Sequence, residues 1–546
     1  SVGTANITFT GAVGGAQGLG NISLTSTGTS TFSSSVSATS ILQNSTTGTT
    51  AINGGSITTS STQEYRNNAT LGADAALSAT TATFKGTIAG AYSLAITGNA
   101  VFGDGTADTV ALSGTGKNLS VSGTTAINTS TITTSGTQTY TGAVTVNTAL
   151  TLSASGITTG STFAVSANAL TLTTDAIALG GNLSGSSTLT IQPKTAATTI
   201  AIGSAATGAL KLDDTELGYL VDGFSNIYLG STTGTGAIAV SYTTPYTFLD
   251  PLTIRSNTSG GGAITATSAQ TTGTNALTVT SGGAVSVAGI TSGALAITGT
   301  GITLNNNITT TGSQTYTGAV TLGDAITLTS NNNTVSFSGS GSTVNGAKDF
   351  TVNAGSGAIN FGGVVGGSSV LSSLALTTTH ATGITLSGNI TTTGSQAYNG
   401  NVVLTTNTTL ATTNSDVGFG GTLNGNAAGK TLTITAGTGA VTFTGAVGNT
   451  NALGAIAIDT TGTTTFSSTV NASSLTTNTG GTTSLGGNVT TSGALTLNDA
   501  VVLAASVVLD ASSITTANTI AAANYNLTLV SDALALGAAV NGGTGT

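Results

Sequence analysis

The string ITTTGSQTYTGAVTL at residues 308–322 returns 82 positions later, at 390–404, as ITTTGSQAYNGNVVL. The register then runs on without a gap. Phe337 maps to Phe419, Lys348 to Lys430, Phe350 to Leu432, Val352 to Ile434, Phe361 to Phe443 and Leu371 to Leu453. Internal periods of this kind mark chains built by stacking small units on one another. Gapless register implies that each block, residues 307–379 and 389–461, holds a whole number of structural units. Looser copies lie elsewhere: TITTSGTQTYTGAVTV at 131–146, ITTSSTQEY at 57–65, ITFTGAVGG at 7–15 against VTFTGAVGN at 441–449, and NALTLTTDAIALGG from Asn168 against NLTLVSDALALGA from Asn526.

The size of one unit follows from an insertion. Phe361 precedes Ile390 by 29 residues, whereas Phe9 precedes Ile57 by 48 and Phe443 precedes Val489 by 46. The longer copies carry 17–19 extra residues containing TFSS. If an insertion adds one complete turn of a solenoid, a turn is about 17–20 residues, and the 82-residue repeat is about four turns. Within a block the apolar residues alternate: Val320-x-Leu322, Ile326-x-Leu328, Val335-x-Phe337, Phe350-x-Val352, Ile359-x-Phe361, Leu374-x-Leu376. Period two is the mark of a strand with one face buried. Gly, Asn, Ser and Thr punctuate the pairs as turn residues do. Strands this short are unstable as isolated hairpins, but stacked as rungs they share one core. The expectation is an all-β, right-handed parallel β-helix, since parallel crossovers are right-handed. Residues 1–546 would form one continuous rod of roughly 27 turns, on the order of 130 Å long at the spacing of paired strands.

Composition agrees. The 546 residues include 8 Lys+Arg, 17 Asp+Glu, one His, 79 Gly, 3 Pro and no Cys, Met or Trp. Thr, Ser, Asn and Gly are poor helix formers. A hydrophobic share of 38% with three prolines argues against disorder. No apolar run is long enough to span a membrane as a helix. The cations Arg66, Lys85, Lys117, Lys194, Lys211, Arg255, Lys348 and Lys430 are scattered, so no basic patch recommends nucleic acid as a partner. Without Cys there are no disulfides, zinc thiolates or iron–sulfur clusters.

One segment departs from the pattern. Residues 210–254 hold four of the ten Tyr, two of the three Pro and five of the seventeen acids. Asp213 followed by Glu216 reads as a capped helix start, so one short helical turn is expected near 213–220 before strands resume at IYLG and AIAV.

The strings at 309–322, 437–448 and 169–181, and the DDTELGYLVDG segment with IYLGSTTGTGAIAV between Asp213 and Val240, resemble the strand-repeat passengers of filamentous-haemagglutinin-type and autotransporter adhesins. The likeness runs over nearly the whole chain. It implies a right-handed β-helix displayed at a bacterial surface, with adhesion or matrix contact as its role. It brings no catalytic residues, and the family's secretion and anchor domains are not among these residues.

The candidates for chemistry are few. GNAAGKT at 425–431 is one residue short of a phosphate-binding loop. Its relatives NGAKDF at 345–350 and GTGKNL at 114–119 make Lys117, Lys348 and Lys430 a recurring turn feature before a strand. His380 is the single histidine and lacks the partners that a triad or metal site needs. Acids cluster only at Asp104/Asp108 and Asp213/Asp214/Glu216; weak calcium binding would fall to Asp213, Asp214 and Asp222. Thr-x-Thr pairs such as Thr171/Thr173 and Thr433/Thr435 could order water, but Thr is favoured on any exposed strand. Sequons stand at Asn6-Ile7-Thr8 and Asn118-Leu119-Ser120. No catalytic, cofactor or metal residue is expected. Three functions remain: an adhesin-like rod that meets a host-cell or glycan receptor, a structural subunit of an extracellular filament associating through its terminal rungs, and a polysaccharide-active β-helix enzyme. The end segments 1–7 and 537–546 carry no charged or helical cap, so the expectation is either a piece of a longer protein or ends that associate with one another.

Overall fold

The computed structural model describes residues 3–338 and 341–543. The chain is a right-handed parallel β-helix of about 27 turns, as the sequence predicts. Among the described residues the one α-helix is the five-residue turn Asp214–Gly218. Two compact units are distinguished. One comprises the chain up to Ser268 with Thr280–Gly283; the other comprises Ala269–Val279 and the chain from Ala284 onward. Of the end segments, residues 1–2 and 544–546 lie outside the described residues.

In the second unit each coil carries three strand positions. Leu295–Leu304 covers two of them, with a bulge between Thr298 and Gly301, and Ile308–Thr310 supplies the third. Strict in-register stacking then builds three faces. On the first, Ile297, Tyr316, Phe337, Phe361, Leu386 and Leu404 superpose. On the second, Ile302, Val320, Val344, Val365, Ile390, Leu410 and Ile434 do so. On the third, Ile308, Leu328, Val352, Leu376, Tyr398, Phe419, Phe443 and Phe466 follow one another. Every residue in these columns is buried. Alternation puts each second side chain into this core, and at roughly 1.5–3 kcal/mol per fully buried Val, Leu, Ile or Phe it dominates cohesion. The coils differ in length through their corners: Leu386 to Leu404 is 18 residues, Phe361 to Leu386 is 25.

This topology corrects one expectation. From Ile308 the chain crosses strand positions at 314, 320, 326, 335, 344, 350, 359, 365, 374, 384 and 390 before the repeat restarts. Eleven positions at three to a coil make three and two-thirds turns, neither four nor any whole number. Tyr316 therefore lies on the first face and its repeat Tyr398 on the third. The physical reason is local. Every strand, on whichever face, has the core on one side, solvent on the other and a parallel neighbour above and below. Its corner is formed by its own Gly and Asn residues. The repeating unit is thus a strand with its corner, and only in sum a coil. The inserted segments do add one complete turn: Phe361 to Ile390 crosses four strand positions, and Phe443 to Val489 and Phe9 to Ile57 each cross seven.

The first unit uses the same scheme, with Phe9 on Phe32 and Tyr65, Phe84 and Phe102 in file. Its irregularity is where the composition places it. Ile200–Ile202 pairs in parallel with Leu210–Leu212 on one side and with Ile238–Val240 on the other. An extra strand is thereby laid between coils. The helical turn follows, closed by the expected capping box of Asp213 and Glu216, and the strands Asn226–Gly230 and Ile238–Val240 resume the helix.

Candidate functional site

The most elaborate side-chain arrangement is a buried clip that recurs four times, at Ile57–Tyr65, Ile132–Tyr140, Ile308–Tyr316 and Ile390–Tyr398. Each copy spans one corner. The Tyr hydroxyl donates to the Gln two residues earlier, Tyr65 to Gln63, Tyr140 to Gln138, Tyr316 to Gln314 and Tyr398 to Gln396, at 2.8–3.1 Å. The Gln Nε2 donates across to the next coil, reaching the carbonyls of Ser78, Ser153, Thr329 and Ala411 at 2.8–3.1 Å. A Thr hydroxyl (Thr59, Thr134, Thr310, Thr392) closes the corner on the carbonyl two residues ahead. All four Gln and all four Tyr are inaccessible to solvent. Burial raises each phenol above its ordinary pKa. Alternation and turn residues alone assign these Gln no role, although four of the chain's eight Gln and four of its ten Tyr stand in this Q-x-Y spacing.

Charged residues are held by the corners. Lys117 contacts Asp74 at 3.0 Å and lies over the Tyr92 ring; Lys348 faces Asp324 at 3.9 Å. Glu64 pairs with Arg66 at 2.7 Å and Lys85 at 3.0 Å. Burial works against its charge, but these cations prevail and its pKa falls. The 425–431 loop runs into the strand Leu432–Gly437, whereas a phosphate loop opens a helix whose N-terminus holds the anion. His380 sits in a corner, its Nδ1 2.8 Å from the Thr382 hydroxyl. Asp108 closes its own turn by accepting from the backbone N–H of Asp104 and Gly105.

Of the calcium candidates, Asp213 and Asp214 are committed to backbone N–H groups, while the Asp222 carboxyl lies against that of Asp250. Asp213 caps the helical turn. Asp214 accepts backbone N–H groups of Ser204, Thr243 and Thr244, which outweigh partial desolvation and lower its pKa. Glu216 accepts from Asp213 and from Leu179 on an adjacent coil, while burial raises its pKa. Among the described residues no three His, Cys, Asp or Glu side chains converge as metal ligands would. The sequon residues Asn6 and Asn118 also have structural work: their Oδ1 atoms accept the N–H of Thr29 and Thr137 on the next coil at 2.8 and 2.7 Å.

What remains is surface. Thr131, Thr151, Thr171 and Thr190 stand in one outward column, and Thr133, Ser153, Thr173 and Gln192 in the column beside it. The second unit carries open grooves. One of 660 Å³ runs past Gly429, Asn449, Asn471, Thr490 and Asp510. Another of 470 Å³ lies over a clip corner, lined by Thr309, Thr311, Thr329, Asn331, Asn353 and Gly355. No protein-family model matches the chain, and neither does any curated protein or solved structure. No helix among the described residues is long and apolar enough to cross a membrane.

Proposed function

We propose that this chain is a non-catalytic scaffold displayed outside a bacterial cell, where its faces and corners mediate adhesion or matrix contact. One observation carries the reading. The outward side chains form in-register columns of hydroxyls and amides, while charged groups such as Asp214, Glu216, Glu64 and Lys117 are tied to backbone N–H groups or to one another. Such a surface offers many directional, uncharged hydrogen bonds and little else. That suits weak contacts multiplied along a long array. Surface display accords with the adhesin resemblance and with the lack of Cys.

The purified chain, coated on beads, should retain host cells or extracellular glycan, and a panel of neutral and acidic polysaccharides should be left uncleaved. Turnover of any of them would replace the reading with an enzymatic one. Length-heterogeneous filaments by negative-stain microscopy, without cell retention, would replace it with a structural subunit.

A further inference from the structure

Between the strands Ile238–Val240 and Leu252–Arg255 the chain runs without a regular strand and fastens onto the helical turn Asp214–Gly218. Three ties hold this strap, residues 241–250. At its start the Asp214 carboxylate accepts the N–H of Thr243 and Thr244 at 2.9 and 3.2 Å. In its middle the Tyr246 hydroxyl donates to the Leu217 carbonyl at 2.6 Å, and the Tyr246 ring meets Phe248 edge-on at 4.9 Å. At its end Asp250 accepts the N–H of Gly223 at 2.9 Å and that of Phe224. Leu217, Phe224 and Phe248, the apolar residues at these ties, are buried.

The last tie differs in kind. Asp250 is 3% exposed, and its carboxyl lies against that of Asp222, an exposed residue. Two carboxylates in contact repel; the contact is attractive only when one of them keeps a proton to donate to the other. We propose that Asp222 and Asp250 form a proton-operated latch, which fastens the end of the strap when they share a proton and releases it when both are ionised.

No cation takes the proton's place. Among the described residues no Lys, Arg or His forms an ion pair with either carboxyl. Lys211 donates to the Ser204 carbonyl at 2.9 Å, and the Arg255 guanidinium lies over the Tyr228 ring at 4.3 Å. On the helical turn Asp213 and Glu216 are occupied by backbone N–H groups. Tyr246, pushed up to about 12 by burial and by the Asp250 charge, stays a donor at neutral pH.

The two ends of the strap answer pH oppositely. Backbone N–H groups outweigh desolvation at Asp214 and lower its pKa, so the start of the strap stays tied as pH rises. Burial, and after it the Asp222 charge, raise Asp250 against the pull of its two N–H partners. A carboxyl raised on folding contributes stability that is whole below its ordinary value of about 4 and is lost as pH climbs through the raised one. From mild acid to neutrality, then, the far end alone lets go, and the cover over Phe224 and Phe248 loosens with it.

The test is hydrogen exchange of the full chain from about pH 4 to about pH 8, corrected for the chemical pH dependence of exchange. Protection of residues 219–225 and 246–251 should fall by about tenfold or more, the factor that one unit of displaced pKa carries, while the regular strands at 131–146 stay level. Asp222→Asn, at an exposed position, gives Asp250 a permanent amide donor and should keep the acid-side protection at neutral pH. Asp250→Asn should do the same by donating to Asp222; should it alter the circular dichroism, Asp222→Asn decides alone. A flat profile in the unaltered chain, or an undiminished pH response in Asp222→Asn, overturns the latch. So would recovery of protection at neutral pH in millimolar calcium, which would make the pair a cation site; protection indifferent to calcium and to chelator is expected.

Discussion

Residues 307–379 and 389–461 carry closely related sequences on different faces of one coil stack, and their interiors are nearly superposable. In the first block Tyr316, Phe337 and Phe361 stack with centroids 5.1 and 4.9 Å apart and interplanar angles of 14° and 3°. In the second, Tyr398, Phe419 and Phe443 stack at 5.0 and 4.9 Å with 11° and 4°. The blocks differ at one ring: Phe350 meets Phe337 and Phe361 edge-on, where the second block has Leu432. The second stack instead continues onto Phe466 at 4.8 Å. Rotation by a third of a turn thus leaves the face-to-face ring stacking of a block intact. What a strand needs is supplied by its own alternation, its own corner and its two neighbours, and the three faces supply these alike.

The strongest way to break that equivalence is to remove a ring from each stack. Phe337→Ala and Phe419→Ala each leave a void between two flat neighbours, and each should lose about 3–5 kcal/mol. Because Phe350 also loses a partner, Phe337→Ala should be the worse of the two. Hydrogen exchange of the flanking strands reads this locally, since coils that contact only their neighbours need not unfold as one. Comparable loss of protection around both is expected; loss around one alone would show that the faces differ.

Next in size are Gln314→Ala and Gln396→Ala. Either substitution strips the donor from the carbonyl of Thr329 or Ala411 and the acceptor from the Tyr hydroxyl. Each orphaned buried group costs about 1–3 kcal/mol, so both variants should unzip the corner between adjacent coils. Exchange of the Thr329 and Ala411 neighbourhoods measures it.

These clips mark the limit of what the sequence discloses. Period-two alternation in Val335-x-Phe337 or Ile359-x-Phe361 reveals the strands, and Asp213 with Glu216 reveals the helical turn, because each depends on residues a few positions apart. The insertion of one turn is legible for the same reason. Face assignment is not, since three equivalent environments leave no sequence trace of which one a strand occupies; hence four turns were expected where three and two-thirds exist. Gln314 escapes notice because its partner, the carbonyl of Thr329, is a backbone atom 15 residues away and any residue could provide it.

Smaller effects should follow from Tyr316→Phe and Tyr398→Phe, which keep the ring and remove one donor. Each leaves the Gln Oε1 without its phenol partner, a loss of about 1–2 kcal/mol. Alkali tests the same contact. Burial raises both phenols, so the folded chain holds these protons more tightly than the unfolded chain does. The stability they confer is intact below the ordinary phenol value of about 10 and is lost as pH climbs above it. Ultraviolet titration should show buried phenols ionising only as the chain opens, and the double Phe variant should blunt the alkaline transition equally for the two blocks.

The least disruptive comparison lies at the corners. Asn332 and Asn414 both occupy the left-handed region, where a non-glycine L-residue is strained by roughly 1–2 kcal/mol. Both also use their carboxamides to accept an N–H from the next coil, an exposed bond that water can replace at a cost of about 0.5–1.5 kcal/mol. Asn332→Gly and Asn414→Gly remove strain and bond together, so the two terms oppose and the net change should stay within about 0.5 kcal/mol. Ala at either position keeps the strain and forfeits the bond, and should destabilise. Gly355 and Gly437 make the reverse point, because a Cβ there would come within 2.3 and 2.2 Å of those carboxamides. Thermal melting of the Gly and Ala variants at both corners distinguishes a corner set by its own φ from one set by its face: matched pairs are expected, and a Gly variant that destabilises one block but not the other would mean that the faces impose the corner geometry after all.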